Sequence, residues 1–136
     1  TTVEGDSIYD VDMDIYAPCA LGATINDNTI GRLKASIIAG AANNQLKDEI
    51  IHGQKLKEKG VLYAPDFLIN AGGLINVYRE VENISQARAM ELTENIYNTT
   101  LDIFKTANVE NITTHKAALE IAKRRIESVG RLKQSR

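Results

Sequence analysis

The sequence predicts an α/β fold, in which a small parallel sheet is followed by a helical segment. Three short runs of apolar, β-prone residues recur about every 25 residues, at 14–18, 36–40 and 61–65. The spacers between these runs are too long for hairpins and have the length of crossover helices, which join parallel strands. From Leu74 onward, apolar residues recur at helical spacing instead.

Each predicted strand is a continuous apolar run that ends in small or turn-forming residues, as expected for strands buried on both faces. In the first spacer, residues 26–29 offer N-cap side chains to a short helix that ends near Lys34. The second spacer has helical composition over 47–59, and Gly60 stands where a glycine commonly ends a helix. These elements predict three parallel strands with two right-handed crossovers.

Three longer helices are predicted after the sheet, over about 74–82, 85–107 and 114–130. In the second of them, apolar side chains recur three and four residues apart, which is typical of a helix with one buried face. Residues 83–85 and 108–113 mark the breaks between these helices. The chain therefore consists of an α/β half and a helical half.

Three strands are too few for a complete doubly wound domain, which normally combines two mononucleotide-binding halves. The phosphate-binding sequences G-x-G-x-x-G and G-x-x-x-x-G-K-[ST] do not occur in the chain. We therefore predict the second half of a Rossmann-like dinucleotide-binding domain, with three parallel strands and crossover helices, over residues 1–80. A C-terminal helical segment over 81–136 is expected to pack back on it.

The composition excludes several other classes of protein. One cysteine among 136 residues rules out a disulfide scaffold, and nine glycines with two prolines rule out a collagen-like or low-complexity chain. The net charge of -2, from 16 basic and 18 acidic residues, gives no general attraction to nucleic acid or anionic membranes. No apolar run approaches the roughly 20 residues that span a bilayer. We expect a cytoplasmic globular protein that binds neither nucleic acid nor membranes.

Ligands of open parallel sheets bind at the carboxyl ends of the strands. Here those ends read PCALGA at 18–23, GAANNQL at 40–46 and NAGGLINV at 70–77. Small residues let a ligand approach the backbone closely, and asparagine side chains both donate and accept hydrogen bonds. This chemistry suits a neutral planar amide such as nicotinamide, whereas a phosphate would prefer basic side chains or a helix N-terminus.

Each of these features also has a purely structural interpretation. Cys19 has no histidine nearby in sequence to activate it, so it can be a small buried side chain. Asn43 and Asn44 can form a turn or cap the helix predicted from Lys47, which is the favoured interpretation of that segment taken alone. Residues 70–73 can be a helix start with two flexible glycines. Three equivalent strand ends with the same chemistry together favour a dinucleotide site.

The same segments carry a resemblance to a known family. Residues 14–23, 38–46 and 63–77 closely resemble motifs of the glutamate/leucine/phenylalanine/valine dehydrogenase family, and they are nearest to leucine dehydrogenases. The resemblance is strong from residue 8 to about residue 80 and holds only in pattern beyond. It implies reversible NAD-dependent oxidative deamination of an L-amino acid to its 2-oxo acid and ammonia, in a cleft between a substrate domain and a dinucleotide-binding domain.

The resemblance also implies the positions that contact NAD. Cys19 and Ala20 are expected to lie along a ribose of the cofactor. Ala42 and Asn43 are expected near the nicotinamide ribose and carboxamide, and Asn70 at the junction of nicotinamide and substrate. A carboxamide in that place can hold the nicotinamide ring in one orientation and so present one face for hydride transfer.

Leu74 and Val77 match the two family positions that line the pocket for the substrate side chain. They lie three residues apart on one helix and hence on one face. Two branched apolar residues suit a leucine, valine or isoleucine side chain and disfavour a carboxylate, which would lose its hydration without gaining a partner. Leu74 stands where a smaller valine is expected in leucine dehydrogenases, which leaves the exact substrate preference open.

Other parts of the family's site are expected outside this chain. The catalytic lysine and aspartate, the glycine-rich phosphate turn and the acidic residue that holds the adenosine ribose are all expected before Thr1. No catalytic residue is therefore assigned, the chain alone is expected to be inactive, and the choice between NAD and NADP stays open. His52 and His115 lie far apart with no further ligand at metal spacing, so no metal site is expected.

We interpret the chain as the C-terminal part of an NAD-dependent branched-chain amino acid dehydrogenase, with leucine as the leading substrate and a homo-oligomeric full-length protein. A family member specific for valine, phenylalanine or glutamate is the nearest alternative. A catalytically silent interaction module is a second alternative, and failure of the full-length protein to bind NADH would favour it. Nucleic-acid binding through the basic C-terminal residues is disfavoured, because the net charge is negative and the aromatic residues lie far from that end.

Overall fold

The computed structural model describes residues 2–134, with the side chains of residues 2–131. A 3-10 helix, Gly5–Asp10, comes first. The elements that follow are β1 (Ile15–Tyr16), α1 (Asp27–Ile30), β2 (Ile37–Ile38), α2 (Ile51–Glu58), β3 (Leu62–Tyr63), α3 (Asp66–Ile69), α4 (Gly72–Val81), α5 (Gln86–Val109) and α6 (Thr114–Gln134). Among the described residues, no helix combines the length and apolar character needed to cross a membrane.

The three strands form one parallel sheet in the order β1-β2-β3, and the connections between them contain α1 and α2. Ile37 of the central strand pairs with Ile15 on one side and with Leu62 on the other. Each strand is only two residues long, because Pro18 and Pro65 follow closely and a proline has no N–H to continue the ladder. The predicted fold class, three parallel strands with crossover helices, is confirmed.

The sheet buries one face rather than the two that the continuous apolar runs predict. Tyr16, Ile38 and Tyr63 are 8%, 0% and 3% exposed. Ile15 and Leu62, one position earlier in their strands, are 55% and 39% exposed. The expectation of burial on both faces is wrong for this chain, because no described helix covers these two side chains.

A hydrophobic core lies between the buried face of the sheet, the crossover helices and the 3-10 helix. Its main side chains are Tyr9, Tyr16, Ile25, Ile30, Leu33, Ile38, Leu46, Leu56, Val61 and Tyr63. The 3-10 helix is not anticipated by the sequence pattern. Tyr9 attaches it to the core, with its ring centroid 5.8 Å from that of Tyr16, and Asp10 pairs with Arg32 at 2.6 Å.

Both crossover helices are shorter than predicted. The first, α1, ends at Ile30 rather than near Lys34. The second, α2, begins at Ile51 rather than at Lys47. Its start is set by the Asp48 side chain, whose Oδ1 accepts the first two unpaired N–H groups at 2.7 and 3.0 Å.

Residues in the left-handed region end three of the helices. Gly60 has a φ of 75°, and Val61 donates its N–H back to the Leu56 oxygen at 2.9 Å, so α2 closes at the glycine as predicted. Asn83 and Asn111 have φ values of 50° and 53° after α4 and α5. Both asparagines fall within the predicted breaks between the long helices.

The long helices α4, α5 and α6 match the three predicted helices to within a few residues. A second apolar cluster joins α5 and α6 to α3, and it consists of Ile103, Ala107, Ala117 and Ala118 with Leu68, Phe104, Ile112 and Ile121 packed against it. Leu68 belongs to α3, which the sequence does not predict. The expected helix start at Asn70 is wrong, because Asn70 follows α3 and α4 begins at Gly72. The boundary between residues 80 and 81 stays a prediction.

Candidate functional site

Three loops leave the carboxyl ends of the strands at one edge of the sheet. We call residues 17–24, after β1, the first strand-end loop, residues 39–46, after β2, the second, and residues 64–71, after β3, the third. Because the strands are parallel neighbours, these loops lie side by side in the same order. All five residues predicted to contact the cofactor lie in them.

The first and second strand-end loops contact each other backbone to backbone. The Ala42 N–H donates to the Pro18 oxygen at 3.0 Å, and the Ala23 N–H donates to the Asn44 oxygen at 2.7 Å. A Cβ atom on Gly40 would lie 2.1 Å from the Pro18 oxygen, which no real side chain tolerates. Glycine at position 40 therefore permits the close approach of the two loops.

The second and third strand-end loops are joined through two asparagine side chains. Asn70 donates from Nδ2 to Oδ1 of Asn43 at 2.5 Å, and the same nitrogen lies 3.5 Å from the backbone oxygen of Ala41. Asn43 Nδ2 and Asn70 Oδ1 form no hydrogen bond with the described residues. The Asn43–Asn70 pair therefore offers one donor and one acceptor side by side at the surface.

The predicted cofactor residues of the first two loops differ in exposure. Cys19 and Ala20 are exposed, and the Cys19 Sγ accepts the N–H of Ala41 at 3.4 Å. The alternative that Cys19 is a small buried side chain is therefore wrong. Ala42 is buried at 5% exposure, within the contact between the two loops. Because the Ala42 side chain is only a methyl group, a ligand could approach the backbone of this segment closely.

The structural interpretation of Asn43 and Asn44, as a turn or as a cap of α2, is correct for the turn and wrong for the cap. Asn44 has a φ of 52° and forms a turn, as that interpretation predicts. Neither asparagine caps α2, because Asp48 supplies the acceptor there. Asn43 instead binds Asn70 across the two loops. The two neighbouring asparagines thus have different roles, which the sequence does not distinguish.

An open depression of about 390 Å³ lies against the Asn43–Asn70 pair. Its lining consists of Ala41, Asn43, Phe67, Asn70, Ala71, Gly73 and Leu74. Leu74 and Val77 both lie on α4 and are 72% and 55% exposed, so neither is used in the core. Val77 does not line the depression but extends the apolar surface beyond Leu74.

The structure adds Phe67 to the side chains at this depression, and the sequence does not single it out. Phe67 is 43% exposed, and its ring meets the ring of His115 edge to face at a centroid distance of 5.5 Å. His115 in turn places its Nε2 3.1 Å from Glu49. In the sequence, Phe67 is marked only by the apolar run that contains it. Such a run does not show that an aromatic side chain is exposed, so the sequence could not assign Phe67 to this depression.

Two buried polar residues lie beneath the loops, and the sequence motifs do not assign a role to them. Gln45 donates its N–H to Oδ2 of Asp66 at 3.2 Å, which connects the second loop to the third. Asp66 is only 7% exposed. Burial, and then the neighbouring Asp66 charge, raise the pKa of Tyr63, so that phenol stays neutral at physiological pH. A lone carboxylate inside the apolar run of residues 61–69 is the signal that could have found Asp66.

The chemistry available at the depression is binding rather than proton transfer. None of its lining residues has an ionisable side chain. His52 is buried away from it, with Nε2 3.3 Å from Asp27. Among the described residues, no three histidine, cysteine or acidic side chains are grouped to hold a metal ion. The loops can orient a ligand through amides and small side chains, and any general base must come from elsewhere.

A family model described as glutamate/leucine/phenylalanine/valine dehydrogenase matches residues 1–133. The chain belongs to this family. The resemblance of the three strand-end segments is thereby confirmed, and the dehydrogenase match extends through the C-terminal helices as well. The roles of individual residues stay predictions.

Two relatives and one crystal structure show how the chain compares with dehydrogenases of the family. L-tryptophan dehydrogenase of Nostoc punctiforme is 52% identical over 133 residues, which cover 98% of this chain and 38% of that protein. Leucine dehydrogenase of Thermoactinomyces intermedius is 54% identical over 125 residues, which cover 92% of this chain and 34% of that protein. The crystal structure of the Nostoc protein matches 95% of this chain and 38% of its own with a TM-score of 0.91. The chain thus spans little more than a third of the length of these relatives.

Proposed function

We propose that the full-length protein is an NAD-dependent dehydrogenase that oxidatively deaminates an L-amino acid with an apolar side chain to its 2-oxo acid and ammonia. The observation that carries this proposal is the Asn43–Asn70 pair, placed beside an apolar depression that ends in Leu74. Membership of the dehydrogenase family supports it. None of the residues that line the depression has an ionisable side chain, so we expect the chain alone to be inactive.

The described residues fit a nicotinamide cofactor. A primary carboxamide has one carbonyl acceptor and one amide donor, which complement Asn43 Nδ2 and Asn70 Oδ1. The small, buried methyl group of Ala42 leaves room for the nicotinamide ribose. Cys19 and Ala20 are exposed on the first strand-end loop, where they would lie along a ribose of the cofactor. Bound NAD would supply the hydride acceptor, and these residues would hold and orient it.

For the substrate side chain, Leu74 and Val77 offer branched apolar surface on one face of α4. We propose branched-chain L-amino acids, with leucine first. Leu74 and Val77 are 72% and 55% exposed, so both side chains are free to contact a substrate. A tryptophan-like aromatic substrate is the second candidate, favoured by 52% identity to an L-tryptophan dehydrogenase. Glutamate is disfavoured, because its carboxylate would meet no basic partner here.

Substrate profiling of the full-length protein tests the proposal. We expect NADH formation with leucine, valine and isoleucine to exceed that with phenylalanine, tryptophan and glutamate when kcat/KM is compared at equal enzyme concentration. A preference for tryptophan would replace the branched-chain assignment while leaving the reaction class intact. No NADH formation with any of the six, together with no binding of NADH, would support the silent interaction module instead.

Cys19 provides a direct test of the cofactor position. We expect its alkylation by N-ethylmaleimide to slow about tenfold when NADH is present at about ten times its Kd, because only about a tenth of the sites are then unoccupied. The measurement is the rate of modification of the peptide that contains Cys19, followed by mass spectrometry of the full-length protein. The same alkylation in denaturant, where the cofactor cannot bind, is the control. An unchanged rate under conditions of proven NADH binding would exclude Cys19 from the cofactor contact.

A further inference from the structure

Gln45 ends the second strand-end loop with a side chain that is fully buried, at 0% exposure. Its Nε2 donates to the backbone oxygens of Gly40 at 2.6 Å and of Ala42 at 2.9 Å. Both acceptors belong to the same loop, on either side of Ala41. The Gln45 amide therefore closes this loop on itself and fixes the peptide groups that immediately precede Asn43.

The other half of the Gln45 amide has no partner. Its Oε1 is buried and accepts no hydrogen bond from the described part of the chain. A buried acceptor without a donor destabilises the folded state, and an apolar side chain of similar length would carry no such cost. The two hydrogen bonds that the amide donates are therefore the contacts through which position 45 acts on the loop.

The backbone of Gln45 connects this closed loop to the next one. Its N–H donates to Oδ2 of Asp66 at 3.2 Å, while Oδ1 of the same carboxylate accepts the Phe67 N–H at 2.9 Å. Asp66 begins α3, and its backbone oxygen accepts the N–H of Asn70 at 3.0 Å. One buried carboxylate therefore joins the loop that carries Asn43 to the short helix that ends at Asn70.

We infer that Gln45 is a positioning residue for the dehydrogenase site, which holds Asn43 at hydrogen-bond distance from Asn70 through the carbonyls of Gly40 and Ala42 and through Asp66. The inference rests on the proposed function, because it assumes that the Asn43–Asn70 pair orients the cofactor. Gln45 itself touches neither cofactor nor substrate. The competing interpretation is that Gln45 only fills the core and stabilises the fold.

The test is a double-mutant cycle in the full-length protein with Gln45→Met and Asn43→Ala. Methionine keeps the length of the side chain and removes the unsatisfied acceptor, but it also leaves the buried Gly40 and Ala42 oxygens without their donor, so we expect the Tm to fall and kcat/KM is measured well below it. We expect kcat/KM for NAD to fall about 10- to 100-fold, as for other misplacements of an orienting group. The double variant is expected to stay within about threefold of Asn43→Ala alone, since the group that Gln45 positions is then already absent.

Ile30→Val is the matched control, because Ile30 lies in the same core at 7% exposure but makes no contact with the strand-end loops through a polar group. It is expected to lower the Tm modestly and to leave kcat/KM unchanged. If Gln45→Met does not fold, Asp66→Asn takes its place in a cycle with Asn70→Ala, since a single carbonyl oxygen cannot accept both N–H groups in this geometry.

The two proposals fail in different ways. Absence of turnover by the wild-type protein on every amino acid offered would overturn the proposed function before any variant is made. With turnover established, two results would overturn the positioning role and leave the proposed function intact. One is a wild-type kcat/KM for Gln45→Met. The other is a double variant whose loss equals the product of the two single losses, which a purely structural role predicts.

Discussion

Replacing Gly40 with alanine in the full-length protein is expected to lower its Tm and weaken NADH binding together. The added Cβ would lie 2.1 Å from the oxygen and 2.5 Å from the nitrogen of Pro18, and both are backbone atoms that cannot rotate away. The first and second strand-end loops must then separate, at a cost of about 1 to 3 kcal/mol. The separation also breaks the hydrogen bond from Ala42 to Pro18. Thermal unfolding and a fluorescence titration with NADH measure the two effects.

Gly31→Ala is the matched control for this prediction. A Cβ on Gly31 would meet no atom within 4 Å, and its φ of -63° and ψ of -30° suit alanine. We expect an unchanged or slightly raised Tm and an unchanged Kd for NADH, since alanine loses less backbone entropy on folding. If Gly40→Ala matched Gly31→Ala in both measurements, close packing of the two loops would not be a requirement of the fold.

The parts of the fold that the sequence predicts well are those that local chemistry decides. The three apolar runs are found as strands, and Gly60 ends α2 because glycine adopts the left-handed conformation of a helix end without steric cost. The break predicted over 83–85 is found as well, and there Ser85 starts α5 by accepting the N–H of Arg88. These features depend on residues within one turn of each other, so a sequence is sufficient to reveal them.

The features that the sequence misses depend on distant contacts. The 3-10 helix near the N-terminus is held by Tyr9 against Tyr16, and α3 is held by Leu68 in the second apolar cluster. Neither element is long enough to show a period of its own. Ile15 is likewise exposed because no other described element covers it, and an apolar run in the sequence does not reveal this.

In the candidate site, too, some features follow from the sequence and others depend on contacts between distant residues. Its three strand-end loops follow from the order of the elements and from the general rule for open parallel sheets. The hydrogen bond between Asn43 and Asn70 joins residues 27 positions apart, and the contact between Gln45 and Asp66 joins residues 21 apart. The sequence can supply the candidates for such pairs, but only the packed loops determine which side chains meet.

Asn70→Ala in the full-length protein is expected to reduce kcat/KM for the amino acid about 10- to 100-fold with little change in Tm. The substitution removes the amide that holds Asn43 and the acceptor beside it, at the point where the proposed cofactor and substrate sites join. Two neutral hydrogen bonds are lost, and each contributes about 0.5 to 1.5 kcal/mol. Asn70 is only half-buried and lies after α3 rather than inside a helix, so folding depends little on its side chain. Steady-state kinetics measures the fall in kcat/KM, and thermal unfolding measures the Tm.

Asn76→Ala provides the comparison, because it is the same change a short distance further along the chain. Asn76 is exposed on α4 and accepts a hydrogen bond from Arg79 at 3.2 Å, away from the strand-end loops. Its loss is expected to leave kcat/KM within about twofold of wild type, as for other surface substitutions. Equal losses in the two variants, or a fall in Tm that accounts for the lost activity of Asn70→Ala, would contradict a direct role. A loss confined to Asn70→Ala at unchanged Tm would support a direct role of the Asn70 amide in the site, because both substitutions remove the same amide and differ in its place in the fold.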